Sequence, residues 1–231
     1  MDMKQEIKKN YSSVLEKFEK AIDESGRNRE EIRLIAVSKT KPVSLMEAVK
    51  ELGQIDFGEN YIQEAMDKID TIGREGINWH FIGGLQTKKA KYAVKYFDII
   101  HSVDSIKLAL EINKRAESIN KVQDILIQIN TGKEIQKSGI MPEDIREIFK
   151  EMILLENINI IGLMAIPPFD LELNETRKHF KVLRKLKEDL NAEFSLGMKE
   201  LSMGMTSDFE VAIEEGATMV RVGTAIFGLR Y

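Results

Sequence analysis

The chain has 231 residues, 43% of them hydrophobic and 31% charged, which suits a globular protein able to bury a sizeable core. It contains no cysteine, which excludes disulfides, thiolate metal sites and a cysteine nucleophile. Its formal net charge of −4, with acids and bases mixed along the chain, offers no general attraction to nucleic acid or anionic lipid.

No apolar run approaches the roughly 20 residues needed to span a bilayer, and the N-terminus has no hydrophobic signal core. The expectation is a cytoplasmic monomer with no nucleic-acid or membrane partner. Ile7, Tyr11, Val14, Leu15, Phe18 and Ile22 recur at helical spacing and predict a leader helix within residues 1–29, with Gly26 as its stop. The pattern then changes to short apolar runs: RLIAVS (33–38), IDFGEN (55–60), WHFIG (79–83), IIHSVD (99–104), ILIQIN (125–130), INIIGLMAI (158–166), ELSMG (200–204) and MVRVGT (219–224). Most are nearly continuous in apolar residues, as strands buried on both faces are.

Amphipathic stretches separate these runs. Leu45, Met46, Val49 and Leu52 form one, Ile145, Ile148, Phe149 and Met152 another, and Phe180, Leu183, Leu186 and Leu190 a third. Ser44 with Glu47, and Ser207 with Glu210, have capping-box spacing, and Pro142 stands where a first helical turn begins. Strands alternating with helices at about 25 residues per unit predict a parallel sheet closed into a single α/β domain. The reading is a (β/α)8 TIM-type barrel with an additional N-terminal helix, spanning residues 1–231. A doubly wound open sheet is the alternative.

Barrels carry their chemistry at the C-terminal ends of the strands. Lys39 directly follows LIAVS. There it is either a solvated lysine, like Lys41, or an amine in an apolar mouth, where desolvation lowers its pKa and favours attack on a carbonyl. Late in the chain, Thr206 and Ser207 sit between a strand and a helix, and Gly223 and Thr224 end the last run. The loops after strands 7 and 8 of barrels frequently hold a phosphate, which is the preferred reading; ordinary turn and cap chemistry is the alternative. Arg221, flanked by valines, either faces into the barrel toward a ligand or pairs with an acid. His80 and His101 read as hydrogen-bonded core residues, and Lys88, Lys91 and Lys95 as a solvated face. Met164, Met203 and Met205 read as packing that could also line a flat ring.

The motifs AVSKTKP, FGENYIQE, WHFIGGLQ, KSGI and LSMGMTSDFEVAIEEGATMVRVGTAIFG, in that order, run from about Arg33 to Gly228. Together they resemble the YggS/PROSC family of pyridoxal 5′-phosphate (PLP)-binding, PLP-homeostasis proteins, itself similar to the barrel domain of alanine racemase. The resemblance implies an alanine racemase-like barrel of PLP fold type III that holds PLP as an internal aldimine on Lys39. It implies Asn60 beside the cofactor, Thr206, Gly223 and Thr224 at its phosphate, and Arg221 at its pyridine nitrogen. Two departures stand out. The family often has serine where Thr206 stands, which keeps a hydroxyl, and commonly asparagine where Lys88 stands, so no ligand is assigned there. The implied role is buffering or delivery of PLP, with PLP-dependent apoenzymes as recipients. Arginine at the nitrogen leaves the ring a weak electron sink, and the length leaves no room for a racemase's second domain. Weak racemase activity is the alternative, and a PLP-free Schiff-base aldolase a more distant one.

Overall fold

The computed structural model describes residues 3–229; Met1, Asp2, Arg230 and Tyr231, the ends of the expected domain, lie outside the described residues. Eight parallel strands close in chain order: β1 (Arg33–Val37), β2 (Asp56–Glu59), β3 (Asn78–Phe81), β4 (Ile99–Val103), β5 (Gln123–Ile129), β6 (Ile158–Ala165), β7 (Glu200–Met205) and β8 (Met219–Val222). Each predicted run overlaps one strand; β3 and β5 begin before their runs, at Asn78 and Gln123, and β7 ends after its run, at Met205. The ladder returns from β8 to β1 with Arg221 opposite Ile35, so the sheet is a closed (β/α)8 barrel and not an open one.

The helices are α1 (Met3–Ser25), α2 (Val43–Lys50), α3 (Ile62–Ile72), α4 (Ala90–Tyr96), α5 (Ile106–Glu117), α6 (Ile145–Met152), α7 (Leu173–Phe194), α8 (Phe209–Glu214) and α9 (Thr224–Phe227). Three expected helix starts are corrected. Ser44 lies inside α2, whose cap is the extended Pro42. The cap of α8 is Asp208 rather than Ser207, and its Oδ1 accepts from the Met205 N–H at 2.5 Å, folding the carboxylate back over the exit of β7. Pro142 opens a turn, and α6 starts at Ile145. In the first two the S-x-x-E spacing occurs without the reciprocal bonds of a capping box.

Strand alternation divides the core into two layers. Leu34 and Ala36, Ile125 and Ile127, Leu163 and Ala165, and Val220 and Val222 join the large apolar layer between strands and helices. Their alternates Ile35, Leu126, Met164 and Met219, with Ile99, form a separate cluster inside the barrel. Side chains of that second parity point inward. The same parity carries Asp56, His80, His101, Ser202 and Arg221, all buried, so a line of polar groups shares the barrel interior with five apolar side chains.

The leader helix lays Ile7, Tyr11, Val14, Phe18 and Ile22 on the outer layer and packs against α2, α8 and α9. The Tyr11 hydroxyl donates to Gln54 Oε1 at 3.0 Å, and Gln54 Nε2 donates to Leu34 O at 2.7 Å and Asp56 O at 2.5 Å, tying α1 to the starts of β1 and β2. Tyr11→Phe leaves the buried Gln54 oxygen without its donor. Its expected cost is about 1 kcal/mol, read as a fall of about 2–4 °C in the thermal midpoint. An unchanged midpoint would show that the tie contributes nothing.

Candidate functional site

Lys39, Asn60, Thr206, Arg221, Gly223 and Thr224 line one cavity of about 390 Å³, reached from the C-terminal end of the barrel. Val37, Ile82, Ile166, Phe169 and Met205 form its apolar wall, and Ser207 stands at its rim. Two depressions of the same volume lie elsewhere, one lined by Arg33, Asp124 and Glu200 at the strand starts and one by Tyr11, Arg29 and Asp56 beside α1. Neither lies at the end of the barrel where strand-exit side chains converge.

The loop carrying Lys39 is braced on both sides. Before it, Ser38 Oγ donates to Glu59 Oε1 at 2.7 Å, and Ser38 O accepts from Lys68 Nζ at 2.7 Å. After it, the Thr40 N–H donates to Glu64 Oε1 at 2.5 Å. Lys68 Nζ joins the two carboxylates, at 2.7 Å from Glu59 and 2.6 Å from Glu64. Thr40 sits at φ 62°, a costly conformation for a β-branched residue that persists only where its surroundings impose it. Lys39, half-buried, lies between these two fixed points. Burial pushes the Glu59 carboxyl above its usual range, against the pull of Lys68 and Ser38, and Glu59 Oε2 is buried without a hydrogen-bond partner.

Asn60 follows β2, and its buried Oδ1 also has no partner within the protein. Its backbone packs against Gly83, where a Cβ would stand 2.2 Å from Asn60 O; only glycine fits, which explains the first glycine after WHFI. Ser102 Oγ holds the same loop by donating to Gly83 O at 2.5 Å. Asn130, another strand-end amide, braces the loop between β5 and α6: its Nδ2 donates to Glu134 O at 2.8 Å, and its own N–H donates to Ile140 O at 2.9 Å. Gly139 of KSGI adopts φ +122°, and a Cβ there would stand 2.8 Å from Asn130 N, so this motif shapes the loop.

Across the cavity, Thr224 Oγ1 donates to Thr206 Oγ1 at 3.2 Å, joining the loops after β7 and β8. Arg221 is buried and donates from Nη1 to Ser202 Oγ at 2.5 Å and from Nη2 to Ala165 O at 3.0 Å. Both acceptors are neutral, and among the described residues no carboxylate forms a salt bridge with it. Burial lowers its pKa to about 10, partly offset by Asp208, so it keeps its charge at neutral pH. Beyond Ser202, His101 Nδ1 lies 2.9 Å from Ser202 Oγ, His101 Nε2 lies 2.9 Å from His80 Nδ1, and His80 Nε2 lies 2.9 Å from Asp56 Oδ1. The two histidines are hydrogen-bonded core residues, as their strands predict. Of the three methionines, Met164 and Met203 are core and Met205 lines the cavity. Lys88, Lys91 and Lys95 are exposed, with Lys88 on a 3-10 turn ahead of α4.

Sequence reasoning missed the brace and, Met205 apart, the apolar wall. The brace had a signal: Lys68 shares a helix face with Ile62, Ala65 and Ile69, and a lysine on a buried stripe demands a buried carboxylate. Ile166 and Phe169 carry no comparable mark.

The chain is thus a closed (β/α)8 barrel with a lysine at the exit of β1 and an arginine inside β8. The family described as alanine racemase, N-terminal domain, matches residues 14–231, and the chain belongs to the pyridoxal phosphate homeostasis proteins within it. A pyridoxal phosphate homeostasis protein from Aquifex aeolicus is 43% identical over 219 residues, which is 95% of this chain and 96% of the relative. PipY of Synechococcus elongatus PCC7942, solved with PLP bound, superposes with a TM-score of 0.85 at 35% identity, covering 96% of this chain and 100% of PipY. Alanine racemase of Clostridium difficile 630 superposes with a TM-score of 0.72 at 17% identity over 91% of this chain and 55% of the racemase, a likeness of fold. Among the described residues, no helix is long and apolar enough to cross a membrane.

Proposed function

We propose that this chain holds PLP covalently at Lys39 and serves PLP homeostasis, by buffering the cofactor or delivering it to PLP-dependent apoenzymes, with an effect on amino-acid balance. The observation that carries the reading is the convergence of an amine, an unpartnered amide oxygen, a buried guanidinium and two threonine hydroxyls on one cavity. When bound, PLP supplies an aldehyde that a primary amine captures, a pyridine nitrogen that accepts a hydrogen bond, and a phosphate. The residues fit each part. Lys39 provides the amine. Thr206, Gly223 and Thr224 provide hydroxyls and a closely approachable backbone for the phosphate. Asn60 offers the ring's substituents an amide whose oxygen has no protein partner. Arg221 provides a donor that stays protonated at the pyridine nitrogen.

That last choice favours storage over turnover. A permanently protonated guanidinium does not hand its proton to the ring, so deep carbanion chemistry is disfavoured, while α-proton exchange stays open to a weak racemase activity. We further propose that the leader helix and barrel act as one domain, monomeric and cytoplasmic; the lack of cysteine suits a reducing compartment.

The test is borohydride reduction of the PLP-treated protein followed by peptide mass spectrometry. The expected result is a single pyridoxyl-phosphate adduct on Lys39, and loss of both adduct and visible absorbance in Lys39→Ala. An adduct on another lysine, or a chromophore retained in Lys39→Ala, would overturn the assignment.

A further inference from the structure

We infer that Ser202, His101 and His80 are positioning residues: a one-way chain of hydrogen bonds that fixes the Arg221 guanidinium beneath the cavity and links it to Asp56 across the barrel. The inference rests on the PLP reading above and extends it to residues that do not line the cavity.

The direction of the chain follows from its ends. Arginine only donates, so Ser202 Oγ accepts from Arg221 Nη1. The Asp56 carboxylate accepts, from His80 Nε2 on one side and from Asn78 Nδ2 at 3.1 Å on the other. If the His80 ring carries one proton, on the Nε2 that faces Asp56, its Nδ1 is bare and accepts from His101 Nε2–H. His101 Nδ1 is then bare in turn, and the Ser202 hydroxyl proton points at it. Every group donates toward Asp56, and no donor faces a donor. The reverse tautomer of His101 would set its Nδ1–H and the Arg221 N–H against one oxygen and leave the serine proton without an acceptor.

The chain resolves a problem of charge. Arg221 is buried, and its direct acceptors are uncharged. The carboxylate that offsets its burial is Asp208, which forms no salt bridge with it; Asp56, at the start of β2, is the anion at the far end of the hydrogen-bonded line. Three aligned dipoles connect Arg221 and Asp56, and such chains polarise one another in a low-dielectric interior. Two of the five guanidinium N–H groups are occupied by Ser202 and Ala165. Rotation about the side chain is thereby blocked, and the remaining donors meet a ligand acceptor in the cavity Arg221 lines. Apolar neighbours alone would leave the guanidinium to choose its own acceptor.

The experiment has two arms. In the first, the wild-type apoprotein is labelled with 15N in its histidine rings and examined by NMR. His80 and His101 are expected as neutral Nε2–H tautomers, and Ser202→Ala is expected to shift the His101 Nδ1 resonance. Protonation of either ring at Nδ1 overturns the proposed direction. In the second, wild type, Ser202→Ala and Ser202→Thr are titrated with PLP and followed by absorbance and by borohydride labelling of Lys39. Ser202→Ala is expected to bind about tenfold more weakly, the scale of a lost hydrogen bond to a charged group, with a displaced absorption band. Ser202→Thr, which keeps the hydroxyl, restores both. If wild type takes up PLP on Lys39 and Ser202→Ala matches it within twofold and in band position, the positioning role is refuted while the PLP reading stands. If wild type takes up no PLP, the PLP reading fails first, and the inference falls with it.

Discussion

Lys68→Met is expected to destabilise the protein by about 3–5 kcal/mol, the range for breaking a buried ion pair by removing one partner. Lys68 lies buried on α3 between Glu59 and Glu64 and also bonds the Ser38 carbonyl. Methionine keeps most of the stem's volume but none of its three donors. Glu59 is then left with a single donor, Ser38 Oγ, for two buried oxygens, one of which is already unpartnered. A carboxylate in that position takes up a proton rather than remain charged. Its pKa, already raised by burial, rises further.

The sign of the accompanying pH effect follows. A carboxyl whose folded pKa exceeds its unfolded value contributes its full stability below the usual carboxylate range and loses it as pH rises through the folded pKa. The deficit of Lys68→Met is therefore expected to be largest at neutral pH and to shrink as pH falls, in urea unfolding curves at each pH. Glu59→Gln combined with Lys68→Met is expected to recover part of the loss, since a neutral pair leaves no unpaired charge. A deficit below about 1 kcal/mol would place this brace with exposed ion pairs and remove the argument that it holds the Lys39 loop.

That brace also marks where reading the sequence stops being sufficient. The barrel was legible because strands buried on both faces are nearly unbroken apolar runs, and eight of them alternate with helical stripes. The cavity's polar residues were legible because barrel chemistry gathers at strand exits: Lys39, Asn60, Thr206, Gly223 and Thr224 each follow or end a run, and Arg221 stands inside one. Asn130 occupies an equivalent exit and instead knots its own loop. Position along a strand gives the height of a residue in the barrel, while contacts at that height depend on stagger between strands. For the same reason His80 and His101 read separately as core residues and not as a pair. Register places His80 opposite Ile99, two residues before His101, a relation set by the closed ladder and invisible in either segment alone. The helix caps failed for a local reason: Asp208 competes with Ser207, and its carboxylate turns back to β7.

Stability should also depend on pH through His101. Burial, first of all, and the guanidinium charges of Arg221 and Arg33 hold this imidazole well below its usual pKa, so it stays neutral in the fold while an unfolded histidine protonates near pH 6.5. The unfolded state then binds the extra proton, and His101's contribution, full above the unfolded pKa, is lost as pH falls toward the folded one. The raised Glu59 carboxyl contributes with the opposite sign, so the informative quantity is a difference. The stability advantage of wild type over His101→Gln is expected to fall as pH drops below the ordinary histidine range, by at most about 1.4 kcal/mol per pH unit. Comparing slopes cancels the constant cost of the substitution itself. The physical reason is directional: a proton added at His101 Nδ1 would face the Ser202 hydroxyl that already accepts from Arg221, placing a second cation beside a buried first one. Parallel curves for the two proteins would mean that the folded chain accepts that proton, which neither the burial of His101 nor the orientation of its hydrogen bonds permits.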